Sequence, residues 1–297
     1  MREFLVFDLP VLAAALLALV ACSTLGNWLV LRREAMTGDA IAHAVLPGLV
    51  GGFVVAGRHS VPAMFAGAAV AGVGAILLAS WVRRRARLEP AAALGIVFTA
   101  FFALGATMLE SLGARQVDLD PECVLFGSLE RMFFVPPAEG PLLLGAPREI
   151  WTLLAAAAAA VLTSILLAKE LRALAFDPEF ARVSGAAPRW TGPVSLCVTT
   201  VAIIASFEAV GSLLVIALLA CPALIAAPHT SSLRGRFALS LAAGGALTVV
   251  GYALAAHAPT LLGTRGALSA AGMIAALLAA AVPLSHAMRA VLSRRPA

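Results

Sequence analysis

Nine stretches of this chain each run for 18 to 23 residues with almost no charge inside them: 9–31, 40–57, 61–82, 91–112, 149–168, 190–207, 211–228, 236–256 and 267–288. About 20 apolar residues in helical form cross the hydrocarbon core of a bilayer. In lipid every backbone N–H and C=O must find its partner within the segment, which leaves the helix as the form for such runs. Composition agrees, because only 12% of the 297 residues are charged against about 25% in an ordinary soluble domain. A soluble enzyme is excluded. The expected fold class is an all-α polytopic membrane protein with 8–9 transmembrane helices in a single domain over residues 1–297. Two places are soft: the second block, with a charged residue at its start, and the sixth and seventh blocks, separated only by Glu208-Ala209-Val210-Gly211, where a re-entrant segment would leave eight.

The 21 Lys and Arg residues form short runs between the blocks. This is the pattern of membrane topology and not of a nucleic-acid surface, so no nucleic-acid partner is expected. With alternating loops, one side holds Arg32, Arg33, Arg83, Arg84, Arg85, Arg87, Lys169, Arg172, Arg182, Arg189, Arg234, Arg236, Arg289, Arg294 and Arg295; the other holds only Arg2, Arg58, Arg115, Arg131, Arg148 and Arg265. Positive loops stay in the cytoplasm, which puts the N-terminus outside and the C-terminus inside. A long outer loop over about 113–148 then carries Asp118, Asp120, Glu122, Glu130 and Glu139, a solvated acidic segment that would also attract cations. Leu19-Val20-Ala21-Cys22 looks like a lipoprotein processing box, but Glu3 and Asp8 spoil the basic leader and the apolar run continues to Leu31. Glycine and alanine inside the blocks, as in Gly48 to Gly52, let membrane helices approach closely and mark packing.

Ionisable side chains within a bilayer are costly and mark a pathway or a partner. Asp39 and His43, in Gly38-Asp39-Ala-Ile-Ala-His43-Ala-Val-Leu-Pro47-Gly48, are four apart and share one helix face. A carboxylate and an imidazole on one face make half of a site for Mn²⁺, Zn²⁺ or Fe²⁺. Equally, Asp39 can cap the helix start with His43 bonded to it as a packed pair. Pro47 breaks the ladder one turn later, tolerated where backbone lines a cavity, and makes it a candidate gate. Glu208 reads as an interface charge at a hairpin tip or as a gate. His59, His229, His257 and His286, near span ends, receive no role. Four scattered cysteines offer neither a disulfide framework nor a CxxC metal site.

Between the fifth and sixth blocks the run Phe176-Asp177-Pro178-Glu179-Phe180-Ala181, with Gly185 beyond it, predicts a short cytoplasmic helix over about 176–186. Asp177 is its N-cap, Pro178 its first residue and Gly185 its stop. Such a helix docks a partner or lies on the bilayer. A phosphate-binding loop needs Gly-Lys-Ser/Thr, but the one lysine, Lys169, follows Ala168. ATP-driven work therefore requires a separate subunit, and no catalytic triad or HExxH constellation is present. The chain is not expected to be an enzyme.

Taken together, these runs resemble the membrane permease subunits of metal-type ABC importers for zinc, manganese or iron. The matching runs are Leu25-Gly26, Leu29-Val30-Leu31-Arg32-Arg33, Gly38-Asp39-Ala40, His43-Ala44-Val45-Leu46-Pro47-Gly48, Asp118-Leu119-Asp120, Leu125-Phe126-Gly127, Phe176 to Ala181, Ser206 to Gly211, Ala217-Leu218-Leu219 and Pro222-Ala223, in the family's order. The resemblance implies a vitamin-B12-importer-like permease architecture in the bacterial inner membrane. It implies that Asp39 and His43 contact the ion in transit, and that the 176–185 segment is the coupling element on the ATPase. The partners implied are two copies of a cytoplasmic ATP-binding subunit, a second permease chain (identical or a similar paralogue), an extracytoplasmic metal-binding protein and the lipid bilayer. No permanently bound cofactor is implied, only the divalent ion as substrate. Two departures stand out: Ala42 occupies a position where the family commonly has serine, and the 128–148 loop, with Val-Pro-Pro-Ala-Glu-Gly-Pro, is longer than in many members and leans toward the manganese/iron branch. The rival reading is a secondary transporter driven by an ion gradient, for which only Asp39, His43 and Glu208 are available as a relay.

Overall fold

The structure is a computed structural model, and it describes residues 4–57, 60–108, 110–111, 129, 132, 146–186, 190–261 and 268–293, apart from the side chains of 4, 5, 39, 42, 61, 90, 182, 259–261 and 293. The expected outer loop over 113–148, with its acidic residues, lies almost entirely outside the described residues, as does His59. Among the described residues the regular elements are all helical. After a wide turn at Phe4–Asp8 come α1 (Leu9–Leu31), α2 (Thr37–Ala56), α3 (Val61–Ala86) and α4 (Pro90–Met108). Next are α5 (Arg148–Leu166), α6 (Ala168–Phe176), α7 (Pro178–Val183), α8 (Thr191–Val210) and α9 (Ser212–Ala226). A single tight turn, Ala227–His229, leads to α10 (Leu233–Leu261) and α11 (Ala270–Ser293).

Eight segments among the described residues are long and apolar enough to cross a membrane. Block 40–57 becomes α2, whose apolar part, His43–Ala56, is shorter than a full span, although the whole 20-residue helix is about 30 Å long at 1.5 Å per residue. The outward faces are apolar, as a lipid boundary requires: Val70, Leu77 and Trp81 on α3 and Leu162, Ile165 and Leu166 on α5 are exposed. The stretch between α5 and α8 differs from the single short helix expected. It holds two helices, and Phe176 ends the first of them.

The helices gather into two compact units. The first takes in the described residues of Met1–Val30, Pro121–Leu162 and Ser206–Ala297. Within it α9, α10 and α11 pack on one another, and α1 is apolar on every side, with Ala14, Ala18, Leu19, Cys22, Leu25 and Leu29 buried. A helix apolar all round belongs inside a core. Gly26 of α1 lies so close to the Leu219 backbone of α9 that a Cβ there would stand 3.1 Å from the Leu219 Cα. The Asn27 side-chain amide of α1 donates across to the Ser240 hydroxyl of α10 and back along its own helix to the Ser23 carbonyl, each at 2.8 Å.

The second unit takes in Leu31–Asp120 and Thr163–Ala205. Here α2 packs on both α3 and α4. Ala44 of α2, Ala75 and Ala79 of α3 and Val97 of α4 form a buried cluster flanked by Val82, Leu94 and Phe101. Small residues set the spacing. A Cβ on Gly48 would stand 2.6 Å from the Ala71 Cβ and 2.7 Å from the Ala68 Cα, and one on Gly67 would meet the Gly52 Cα at 3.0 Å. The Gly48-x-x-x-Gly52 pair on α2 thus faces Gly67 and Ala71 on α3, the small-xxx-small geometry of close membrane helices. Gly51, by contrast, has nothing within 4 Å of its Cβ position. Overpacking a well-filled contact costs about 1–3 kcal/mol, so Gly48→Ala should lower the thermal midpoint of the detergent-solubilised protein while Gly51→Ala, which gains helix propensity in open space, leaves it unchanged or raises it. Equal midpoints for the two variants would remove the α2–α3 contact from the list of stabilising features.

Candidate functional site

Asp39 is the third residue of α2 and His43 the seventh, one turn apart on one face as the spacing predicts. The helix is capped at Met36, whose side chain makes no capping bond. The Thr37 amide donates to the Glu34 carbonyl at 3.0 Å and the Ala40 amide to the Met36 carbonyl at 3.1 Å. Asp39 therefore does not occupy the cap position considered for it. Its carboxylate lies outside the described side chains, and so does the expected pairing of carboxylate with imidazole.

The His43 ring is half-buried against α4. Its centroid lies 4.5 Å from that of Phe98 at a tilt of 53°, and 5.6 Å from that of Phe102 at 87°, an edge-on contact. Phe98 and Phe102 are four apart and so share one face of α4. Tilted and edge-on pairs are the favoured aromatic geometries, worth about 0.5–1.5 kcal/mol each beyond the area they bury. Two such contacts restrict how the imidazole can turn. Sequence reasoning missed this clamp: the i, i+4 phenylalanines stand in plain view in the block 91–112, but a lipid-facing helix would carry the same pattern.

Pro47 is buried one turn beyond His43. Lacking an N–H, it cannot make the ladder bond that would run from position 47 to the carbonyl of residue 43. Gly105 of α4 admits the proline ring, since a Cβ there would stand 2.8 Å from the Pro47 Cδ. The irregular stretch of α2 is thus seated directly on the helix that supplies the two phenylalanines. Among the described residues no three His, Cys, Asp or Glu side chains gather into a metal-binding group.

Glu208 lies in the last turn of α8. The only residue between α8 and α9 is Gly211, at φ 80° and ψ 165°, a backbone conformation open to glycine. Its amide still donates to the Phe207 carbonyl at 3.0 Å, and its carbonyl already accepts from the Val215 amide at 3.2 Å. An antiparallel helical hairpin needs a loop of about 2–5 residues, so the expected hairpin tip is instead a one-residue break with Glu208 on a helix. Arg148 at the start of α5 attracts the half-buried Glu208 carboxylate and Glu149 repels it.

On the loop side, Asp177 caps α7 as its sequence predicts, its carboxylate accepting from the Phe180 amide at 2.9 Å. Pro178 is the first helical residue and Glu179 lies in the first turn. Gly185 follows the helix at φ 68°. Ala181 of α7 and Leu171 of α6 are fully buried, whereas Phe176, Phe180 and Val183 are 69%, 60% and 89% exposed. The segment thus presents three large apolar side chains outward beside the exposed Asp177 and Glu179.

Comparison with known proteins gives this architecture its class. The model of the ABC 3 transport family matches residues 6–283, and the chain belongs to that family. The manganese transport system membrane protein MntD of Bacillus subtilis (strain 168) is 35% identical over 252 residues, 83% of this chain and 82% of that one. The zinc transport system membrane protein TroC of Treponema pallidum (strain Nichols) is 31% identical over 236 residues, 80% and 76% of the two chains. In the solved structures, PsaBC from Streptococcus pneumoniae in complex with Fab shares the fold, with a TM-score of 0.73 at 24% identity over 94% of this chain and 90% of that one. The chain is a multi-pass permease subunit of an ABC transporter in the bacterial inner membrane, not an ATPase in its own right.

The α7 cap is a local device with a local test. Losing an N-cap carboxylate costs about 1 kcal/mol, roughly a fivefold shift in a local equilibrium. Asp177→Ala should therefore speed amide hydrogen exchange across Pro178–Val183 by about that factor, with exchange in α3 unchanged. Identical exchange in α7 would show that the cap does not hold the helix.

Proposed function

We propose that this chain forms the membrane path of an ATP-driven importer of a divalent transition metal, Mn²⁺, Zn²⁺ or Fe²⁺. The reading is supported most by one observation: a family match over residues 6–283 in a chain that sets Asp39 and His43 one turn apart on α2. Manganese and zinc relatives of 35% and 31% identity point to the same substrate class. In this proposal Asp39 and His43 replace part of the hydration shell of the ion as it passes. Oxygen and imidazole ligands suit these borderline ions, and a transport site must bind weakly enough to release.

Two permease chains related by a two-fold axis bring two carboxylates and two imidazoles to one place. Two ATP-binding subunits dock on the segment from Phe176 to Gly185, where Phe176, Phe180 and Val183 offer an apolar surface. A metal-binding protein delivers the ion on the opposite side, and Glu208 and Pro47 are each candidate gate residues. The basic loops, with α6 and α7, lie in the cytoplasm; the N-terminus is outside and the C-terminus inside.

Asp39→Ala and His43→Ala should each cut cellular accumulation of the physiological metal by about tenfold or more, since even indirect metal partners carry about that weight, while the complex still purifies with its ATPase. Normal accumulation in both variants would reject the site. Phe176→Asp combined with Phe180→Asp should release the ATPase during purification, and undiminished co-purification would count against docking at this segment.

A further inference from the structure

The turn between α1 and α2 is tied to the start of α8 by a part-buried charge. Arg32 follows the last residue of α1, Arg33 takes a left-handed backbone at φ 58°, and Glu34 supplies the carbonyl that receives the first amide of α2. The Arg32 guanidinium donates to Glu34 Oε1 at 3.2 Å and lies 3.0 Å from Oε2, with the two side chains 12% and 18% exposed. Its other terminal nitrogen donates to the Ser195 hydroxyl at 3.3 Å. Ser195 is itself held, donating to the Gly192 carbonyl at 2.8 Å, while its own carbonyl accepts from the Thr199 hydroxyl at 2.7 Å. One cation therefore fastens the second turn of α8 to the carboxylate just before α2.

Arg32, Glu34 and Ser195 belong to the second unit, together with α7 and the Asp39/His43 face of α2. In chain order α8 is the helix next after α7, and Ser195 lies near its start. From Thr37 to His43 is six residues, about 9 Å along a rigid helix. Packing beside the pair is not tight. A cavity of about 40 Å³ is lined by Glu34, Thr37, Ser80, Arg83, Leu94 and Leu196 among others, and a single water needs about 10–15 Å³. The Glu34 side chain thus borders open space shared with Arg83 of α3 and Leu196 of α8.

We infer that Arg32, Glu34 and Ser195 are positioning residues that transmit movement of the ATPase-docking segment to the ion-facing turn of α2. The inference rests on the proposed function above, and the experiment separates the two. The permease would be reconstituted in liposomes with its ATPase and binding protein, and the ions moved per ATP hydrolysed counted with Mn²⁺, Zn²⁺ and Fe²⁺ in turn. Glu34→Gln and Ser195→Ala should lower that ratio by about threefold or more while ATP hydrolysis and subunit recovery stay near wild type. Ser195→Thr, which keeps the hydroxyl, and the exchanged pair Arg32→Glu with Glu34→Arg should recover most of it. A merely structural bridge would change recovery of the complex and not the ratio. Wild-type vesicles that accumulate none of the three ions would overturn the metal-import reading and this inference with it. Accumulation by wild type together with an unchanged ratio in Glu34→Gln and Ser195→Ala would overturn the inference alone.

Discussion

The close approach of the α2 backbone to its neighbours is the constraint on which the rest of the second unit depends. Without a hydrophobic drive between helices in lipid, association comes from van der Waals contact and hydrogen bonding, and both fall off steeply with distance. Gly48 and Gly52 let α3 reach the α2 backbone, and Gly105 lets α4 reach Pro47. These two contacts fix α2 along its length, and His43 sits four residues before Pro47. With a bulkier residue at 105, α4 would stand farther off and its phenylalanines would no longer touch the imidazole, whereas bulk at 48 or 67 would move α3 away from α2. The ring's orientation is therefore set by glycines that carry no chemistry themselves.

How far the sequence could be read depends on the range of the interaction involved. The α7 helix was legible because its determinants are local: Asp177 bonds an amide three residues away, Pro178 fits the first turn and Gly185 accepts the left-handed backbone. The apolar blocks were legible because hydrocarbon thickness dictates their length. The break at Gly211 was visible as a gap between blocks 190–207 and 211–228, yet it was read as a hairpin because hydropathy records where a span ends and not how the chain turns. The second helix, α6, was missed for a related reason. Lys169, Glu170 and Arg172 look like a solvated loop, and only the complete burial of Leu171 shows that this charged stretch has an inner face.

Long-range contacts were illegible in principle. Nothing in the sequence around Arg32 distinguishes it from the neighbouring Arg33, and both count equally as topology signals. In the structure Arg32 is bonded to a serine 163 positions away and to Glu34, whereas Arg33 is exposed in the turn. The Phe98 and Phe102 contacts with His43 are of the same kind, because each depends on which face of α4 meets α2.

Within the second unit, the Arg32–Glu34 pair and Pro47 fall on α2 and the turn before it. A charge pair removed from water is a poor source of stability, because desolvation consumes much of the attraction. Its value lies in geometry: only a partner of opposite charge at the right place satisfies it. Arg32 with Glu34 at one end of α2, and Pro47 in its middle, bracket the face that carries Asp39 and His43. A regular helix capped by solvent at both positions would span the bilayer as well and would be cheaper to desolvate. Since the bilayer asks for neither feature, their presence on this helix is better explained by a demand for defined and alterable position than by a demand for stability, and a path that must hold an ion briefly and then let it go makes that demand.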